Sequence, residues 1–445
     1  MIARPTVATV SVERPWRLLS APVVGWVLYD FANTIFSFVV VTRYFNDWII
    51  DERGQPDIYV GLMAAAVSVA LVFTLPLIGA RADRSGRHKP VLVAFTVLCV
   101  AATALLGLVG PVLLALVVAG VATFAFNTSD SQYHPLLAVV APERRRGRVS
   151  GLAVACGYLG TLSALFLLGA IVEDGQAQKA FLPAAAMFAL FALPCFLLVR
   201  ERPRHREAAA GTPREPALRA LLSALRRARR EPYGRLLLAR FFYVDAIATV
   251  IQFMTVYARR TGDFDGDEID LLLAGATVAA IAGALVAGVL AERIGPRRVI
   301  LGTLAATIVA LAVAAGTGSS ALLWVVGPVI GVALGSLSAV DRIFLLRLVP
   351  AERRGEEFGL YALTGKLATG FGPLVLWGGT ILVVHEVVGL SKFDASRVAV
   401  AVLAGAALLG LVILRPLSDR PETGAEPSPA DGGWRESATP SPARG

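Results

Sequence analysis

Charge is scarce in this chain. Of its 445 residues, 17% are Asp, Glu, Lys or Arg and 56% are hydrophobic, where soluble domains carry about 25% charged residues. With a mean hydropathy of +0.66, this excludes an ordinary water-soluble globule and makes lipid the solvent. Cysteine is scarce too. Cys99, Cys156 and Cys195 all fall inside apolar runs, where thiols behave as small hydrophobes. No spaced ligand pair supports a disulfide or zinc, and His88, His134, His205 and His385 are scattered, so no metal is expected. A nucleotide-binding loop is missing, which argues against ATP drive, and no cofactor is expected. So is any nucleophile–base–orienter set, so no catalytic residue is expected and the chain is not read as an enzyme. No cleavable signal peptide is expected. The N-terminal tail is polar, and the first apolar run is long, aromatic and carries Asp30, which fits a retained span.

What is present is a duplicated loop. Gly79-Ala80-Arg81-Ala82-Asp83-Arg84-Ser85-Gly86-Arg87-His88-Lys89-Pro90 lies between two apolar runs. Roughly 209 residues later the chain reads Gly288-Val289-Leu290-Ala291-Glu292-Arg293-Ile294-Gly295-Pro296-Arg297-Arg298, again between apolar runs. Glu143-Arg144-Arg145-Arg146-Gly147, with Gly151-Leu152 behind it, echoes Glu352-Arg353-Arg354-Gly355 with Gly359-Leu360 behind that. Two echoes in one register indicate two half-domains rather than a solenoid. In membrane chains such repeats mark transporters.

Runs of about 20 apolar residues suffice to cross a bilayer. Twelve are expected, at about 22–46, 58–80, 90–109, 112–140, 149–172, 180–199, 234–258, 269–291, 299–317, 321–348, 357–384 and 396–414. The corresponding organisation is an N-terminal tail (1–21), a six-helix half (22–199), a connector (200–233), a second six-helix half (234–414) and a disordered tail (415–445). Arginine and lysine concentrate in alternate loops: 81–89, 141–148, the connector and 292–298. The opposite set is acidic, with Asp47, Asp51, Glu52 and Asp57 in one loop and Asp263, Asp265, Asp267, Glu268 and Asp270 in another. The positive-inside rule then places both termini and the connector in the cytoplasm. It also accounts for the net charge of +9 without a nucleic-acid partner. Leu218, Leu221, Leu222 and Leu225 keep helical spacing among arginines, as in a basic amphipathic helix on the inner leaflet.

Ionisable residues at bilayer depth are costly and mark functional candidates. Asp30, Asp130, Asp245 and Asp341 fall in spans 1, 4, 7 and 10, one per three-helix unit. Asp30, Asn33 and Thr34 share a helix face, as do Asp245, Thr249 and Gln252. Tyr29, Asn127, His134, Arg240, Tyr243 and Lys366 add polar groups nearby. The candidate cavity is therefore Tyr29, Asp30, Asn33, Asp130, His134, Arg240, Tyr243, Asp245, Gln252, Asp341 and Lys366. Plainer roles stand beside these. Asp30 or Asp245 pairing with Arg240 or Lys366 would only fix helix packing, and Asp341 with Arg342 would form a gate pair. Asp130 with His134 would be a proton site or a local hydrogen bond. Tyr158 and Trp377 fit packing or interfacial roles. Gly79, Asp83, Arg84, Gly86, Arg87, Glu292, Arg293 and Gly295 form the candidate cytoplasmic gate, with Asp83 facing a helix N-terminus across the seam, that of span 11.

The first loop resembles the signature between spans 2 and 3 of the major facilitator superfamily, G-x-x-x-D-R-x-G-R-[RK], departing at His88. The resemblance implies an all-α membrane protein of twelve transmembrane helices in two pseudo-symmetric six-helix halves, with spans 1, 4, 7 and 10 lining a central cavity. Three stretches look like the vacuole-effluxer-like family, which includes the autophagy-related vacuolar amino-acid effluxer. Trp26-Val27-Leu28-Tyr29-Asp30-Phe31-Ala32-Asn33 resembles its W-x-x-Y-D-[WF]-A-N opening. Arg148-Val149-Ser150-Gly151 with Gly157-Tyr158-Leu159-Gly160 resembles R-x-S-G…G-Y-x-G, and Arg240-Phe241-Phe242-Tyr243-Val244-Asp245 resembles R-F-x-Y-x-D. Span 4 departs, with Tyr133-His134-Pro135-Leu136-Leu137 for Y-N-A-x-L-P, and Ala246 replaces a usual Gly.

These features imply a secondary transporter working by alternating access on amino acids or similar small polar metabolites, with a proton or sodium ion as coupling partner. A zwitterion needs an anion and a cation, which Asp30 or Asp245 with Arg240 or Lys366 would supply. A cation-coupled sugar carrier and a non-transporting receptor are the alternatives. A monomer in the lipid bilayer of a bacterial plasma membrane is expected.

Overall fold

The computed structural model describes residues 19–142, 146–201, 226–262, 264–316, 319–349 and 354–418. The chain is all-helical there. Twelve helices are long and apolar enough to span a membrane: Ala21–Glu52, Asp57–Gly79, Lys89–Leu106, Val112–Val140, Val149–Gly169, Ala177–Leu198, Pro232–Thr261, Gly266–Ile294, Pro296–Gly316, Ser320–Leu345, Leu360–Val387 and Lys392–Leu414. Lipid offers no hydrogen bonds, so each span must satisfy its own backbone, and the helix does that. Pro76, Pro194 and Pro328 sit inside spans 2, 6 and 10. Most of the connector, the C-terminal tail beyond 418 and the N-terminal tail to 18 lie outside the described residues.

Packing repeats with a period of six spans. Span 1 packs on spans 5 and 6, span 3 on spans 4 and 6, and span 2 on span 4; span 7 packs on 11 and 12, span 9 on 10 and 12, and span 8 on 10. Adding six to each number of the first set gives the second, so the duplicated sequence folds into two pseudo-symmetric halves. The halves meet where span 2 packs on span 11 and span 5 on span 8. Small residues allow the closest approaches. On span 10, a Cβ at Gly331 or Gly335 would come within 2.1 and 1.9 Å of the span 8 carbonyl oxygens of Ala276 and Ala280.

Three segments depart from the sequence-based boundaries. Span 1 does not end near 46. It is α-helical to Phe36 and continues through wider π-helical turns, Ser37–Thr42 and Asp47–Glu52, because Arg43 pairs with Asp47 and lets that acid stay helical and buried. Span 11 likewise widens over Gly372–Gly379 and Leu382–Val387. The first signature loop is mostly helix, since the span 2 helix runs on to Ser85. Gly86 follows at φ +62, and the Arg87 N–H donates to the Ala82 carbonyl at 3.1 Å. This is a Schellman-type stop, whose left-handed position glycine fills without penalty. Its counterpart, Gly295 after span 8, has φ +90.

Candidate functional site

The WxxYD stretch at the start of span 1 is a clamp. The Trp26 indole donates to the Tyr133 carbonyl at 3.2 Å, and the Tyr133 hydroxyl donates back to the Trp26 carbonyl at 3.0 Å. Their rings stack at 4.5 Å. Tyr29, stacked on the other side of Tyr133 at 5.0 Å, is fully buried and shares a 2.6 Å hydrogen bond with Thr96. Tyr29 was expected at the cavity; the structure commits it to joining spans 1, 3 and 4. Glycines on span 5 then let it lie against span 1. Thr34 donates to the Gly157 carbonyl at 2.6 Å, and a Cβ at Gly160 would sit 2.3 Å from the Phe31 carbonyl oxygen.

This clamp aims a polar cluster between the halves. Asn33 of span 1 donates to the Asp130 carboxylate of span 4 at 3.3 Å. Lys366 of span 11 crosses the seam, placing its ammonium 2.5 Å from the Asn127 amide oxygen and 3.9 Å from Asp130. His134 lies 3.7 Å from Asp130, one turn further along. Asp30 lies against span 5, where a Cβ at Gly157 would meet its carboxylate at 2.8 Å, and it feels the charges of Asp130 and Arg342. Asp130 and Lys366 are each about a quarter exposed, and His134 is 64% exposed. Ala362 and Thr369, one turn either side of Lys366, are exposed too, as are Ser338 and Arg342 on span 10.

The second half is arranged differently. Arg240 sits 3.3 Å from Asp341, caps the Tyr361 carbonyl at 3.2 Å and lies over the Tyr361 ring at 3.8 Å. The Tyr243 hydroxyl donates to Asp341 at 2.8 Å. Tyr243 and Asp341 are buried. Arg240 therefore serves neither Asp30 nor Asp245, and Asp341 pairs with it rather than with Arg342. Asp245 faces span 11, not the open space: it is fully buried and accepts the Gly372 N–H at 2.8 Å. Gln252 is also buried, with its backbone carbonyl accepting from the Asn46 amide.

One end of the molecule is latched shut. Arg43 bonds Asp47 and, across the seam, Asp270 at 2.7 Å. Arg259 reaches Asp47 at 3.4 Å and Asp174 at 2.9 Å. Arg260 grips Asp57 with two bonds of 2.9 and 2.8 Å, and the Trp377 indole donates to the same carboxylate at 2.8 Å. Asp174 also accepts the Gly266 N–H at 3.1 Å, at the start of span 8. Partial burial works against the Asp174 charge, but Arg259, the Gly266 N–H and Arg43 outweigh it and hold this carboxyl below its usual range. The sequence reading counted the acids of these loops and missed Arg43, Arg259 and Arg260. Their placement in helix interiors or last turns was the available signal.

The opposite, arginine-rich end shows no such latch among the described residues. Arg87, Glu292 and Arg293 are exposed, with no ion pair there. Gly79 lies within span 2; the side chains of Asp83 and Arg84 lie outside the described residues, so the expected contact of Asp83 with span 11 does too. Glu201, which sequence reasoning did not single out, accepts the backbone N–H groups of His88 and Lys89 at 2.9 Å each. It thereby caps the positive end of span 3.

Known proteins share this architecture. The family model described as Major Facilitator Superfamily matches residues 23–265 and 254–443. The chain is 26% identical over 416 residues to YxiO of Bacillus subtilis (strain 168), an uncharacterized MFS-type transporter, covering 87% of this chain and 94% of that one. Among solved structures, the nucleoside transporter NupG matches with a TM-score of 0.71 at 14% identity, over 89% of this chain and 98% of that chain. A bacterial homolog of the human lysosomal transporter Spinster, inward-facing and occupied, matches with a TM-score of 0.66 at 16% identity, over 92% and 99%. The chain belongs to the major facilitator superfamily.

Proposed function

We propose that this transporter moves amino acids or similar small zwitterionic metabolites by alternating access, and that Lys366 with Asp130 and Asp30 forms the binding site. The carrying observation is the seam-crossing contact of Lys366 with Asn127 and Asp130. An ammonium on one half faces carboxylates on the other, with a gap of 3.9 Å to Asp130 rather than a closed ion pair. A substrate carboxylate placed on Lys366 and a substrate ammonium placed on Asp130 or Asp30 would replace that loose contact with two charge-assisted bonds. Such a ligand bridges the halves, so its binding favours closure around it.

The resemblance to the vacuole-effluxer-like family supports the substrate class. Its WxxYD residues act here by positioning: Trp26 and Tyr29 fix the helix from which Asp30 and Asn33 project. The arginine-rich loops support an orientation with that end and both termini in the cytoplasm, in a bacterial plasma membrane. On that orientation the latched end faces outward.

The test is exchange of labelled amino acids in proteoliposomes, comparing wild type with Asp130→Asn. Saturable exchange in wild type that the variant loses supports the reading. Flux of sugars but no amino acid would replace it with the sugar-carrier alternative.

A further inference from the structure

The Asp245 site uses none of the machinery above. Its carboxylate is fully buried between spans 7 and 11 and receives one hydrogen bond, from Gly372 N–H to Oδ1. Oδ2 is buried without a partner, and so is the hydroxyl oxygen of Thr249, one turn along on the same face. Gly372 fits between them. A Cβ there would lie 2.0 Å from Thr249 Oγ1 and 2.4 Å from Asp245 Oδ1.

No cation compensates this carboxylate among the described residues. On span 7, Arg240 and Tyr243 are turned to Asp341, which is the acid that span 10 presents. On span 11, Lys366 is turned to Asn127 and Asp130, and Tyr361 lies under Arg240. On span 12, Asp394 and Arg397 face one another at the far end. A buried, unpaired carboxylate anion is far more costly than the neutral acid.

Gly372 also opens the π-helical segment Gly372–Gly379, and that segment carries the outer latch. Trp377 stacks on Phe253 of span 7 at 4.9 Å and donates to Asp57, the acid gripped by Arg260. Its backbone presses on span 2 of the other half. A Cβ at Gly61 would lie 2.5 Å from the Pro373 carbonyl oxygen, and one at Gly378 would lie 2.9 Å from the Ile58 Cα.

From this geometry we infer that Asp245 is a proton-binding site that controls the outer latch through the π-helical segment of span 11. With a proton bound, the neutral acid lets spans 7 and 11 pack together and holds Trp377 on Asp57. Loss of the proton leaves an anion that this packing cannot accommodate, so the segment moves and the latch opens outward. The inference rests on the alternating-access reading but not on the substrate. Its test therefore uses substrate-free protein.

Spin labels on cysteines replacing the exposed Glu173 and Lys392, in a variant lacking Cys99, Cys156 and Cys195, report the separation of the halves at the latched end by pulsed resonance. In the parent the separation is expected to grow as pH rises, with the closed-to-open ratio falling by up to about tenfold per pH unit for one proton. Asp245→Asn, a neutral isostere that keeps an acceptor for Gly372, is expected to stay closed at every pH. Gly372→Ala, which wedges the cluster apart, is expected to stay open at every pH. An Asp245→Asn protein that opens with rising pH like the parent would overturn the inference. A parent whose separation ignores pH would overturn it as well. Failure of amino-acid exchange with an intact pH response would sink the substrate reading alone.

Discussion

The two halves present their embedded charges in opposite ways. In the second half, apart from the unpaired Asp245, Arg240, Tyr243 and Asp341 pair with one another in a largely buried cluster. In the first half, Asp30, Asp130 and His134 remain partly open, and the cation nearest Asp130, Lys366, is borrowed from the other half. The second arrangement resembles the stable solution for buried ions, full mutual pairing. The first has room for a ligand to complete it. Duplication supplied the same scaffold twice, and the asymmetry of charge is what motivates the proposed site in the first half.

The largest effect expected from breaking this contrast is structural. Arg240→Met leaves Asp341 buried with only the Tyr243 hydroxyl, and removing one partner of a buried pair costs about 3–5 kcal/mol. A fall in the thermal unfolding temperature of detergent-solubilised protein measures it. The double variant Arg240→Met with Asp341→Leu is expected to regain most of the loss, because no unpaired charge remains. If it does not, the cluster does more than balance itself.

Lys366→Ala addresses the open side. Losing a cation that pairs with a substrate carboxylate costs about 2 kcal/mol or more, about 30-fold in apparent affinity, while unfolding temperature changes little. Competition by unlabelled substrate in an exchange assay reads it. A large stability loss with unchanged affinity would make Lys366 a packing residue.

Gly160→Ala tests the platform beneath the first cluster. The added methyl meets the Phe31 carbonyl oxygen at 2.3 Å, and overpacking of this kind costs about 1–3 kcal/mol. Alanine at Gly405, which has open space around it, is the control expected to leave the unfolding temperature unchanged.

The smallest effect belongs to Asp174. Its carboxyl is held below the usual range in the latched structure, so its contribution to closure is present above the ordinary carboxylate value. It is lost only as pH falls through the lower latched value. The group is about half exposed, and such pairs contribute less than about 1 kcal/mol. Asp174→Asn is therefore expected to open the latch slightly near neutral pH, and to match wild type in strongly acidic solution. The same spin-label distance checks this.

The fold was legible because lipid imposes it. Twelve apolar runs, a repeated G-x-x-A-acid-R-x-G loop and alternating arginine-rich loops prescribe two halves of six helices, and the packing repeats accordingly. Helix ends were less legible. The sequence around Asp47 reads as an acidic loop until Arg43, one turn away, is seen to neutralise it within the helix. The four embedded acids stand out in the sequence, and His134 beside Asp130 follows from its spacing, but the partners contributed by other spans do not. Pairing depends on which helix face each residue occupies and which span lies opposite, so Arg240 reaches Asp341, and Lys366 reaches span 4. Tyr29 lies next to Asp30 in sequence yet points into the Thr96–Tyr133 clamp, because adjacent helical positions face different directions.

The most direct test of the account is labelling of an Ala362→Cys variant, one turn from Lys366, in a background lacking the native cysteines. A membrane-impermeant maleimide is applied separately to each face of oriented vesicles. Labelling from the cytoplasmic face, slowed by a transported amino acid and not by a non-substrate, is the predicted result. Labelling only from the outer face, or at a rate no amino acid alters, would contradict the placement of the binding site between Lys366 and the carboxylates of spans 1 and 4.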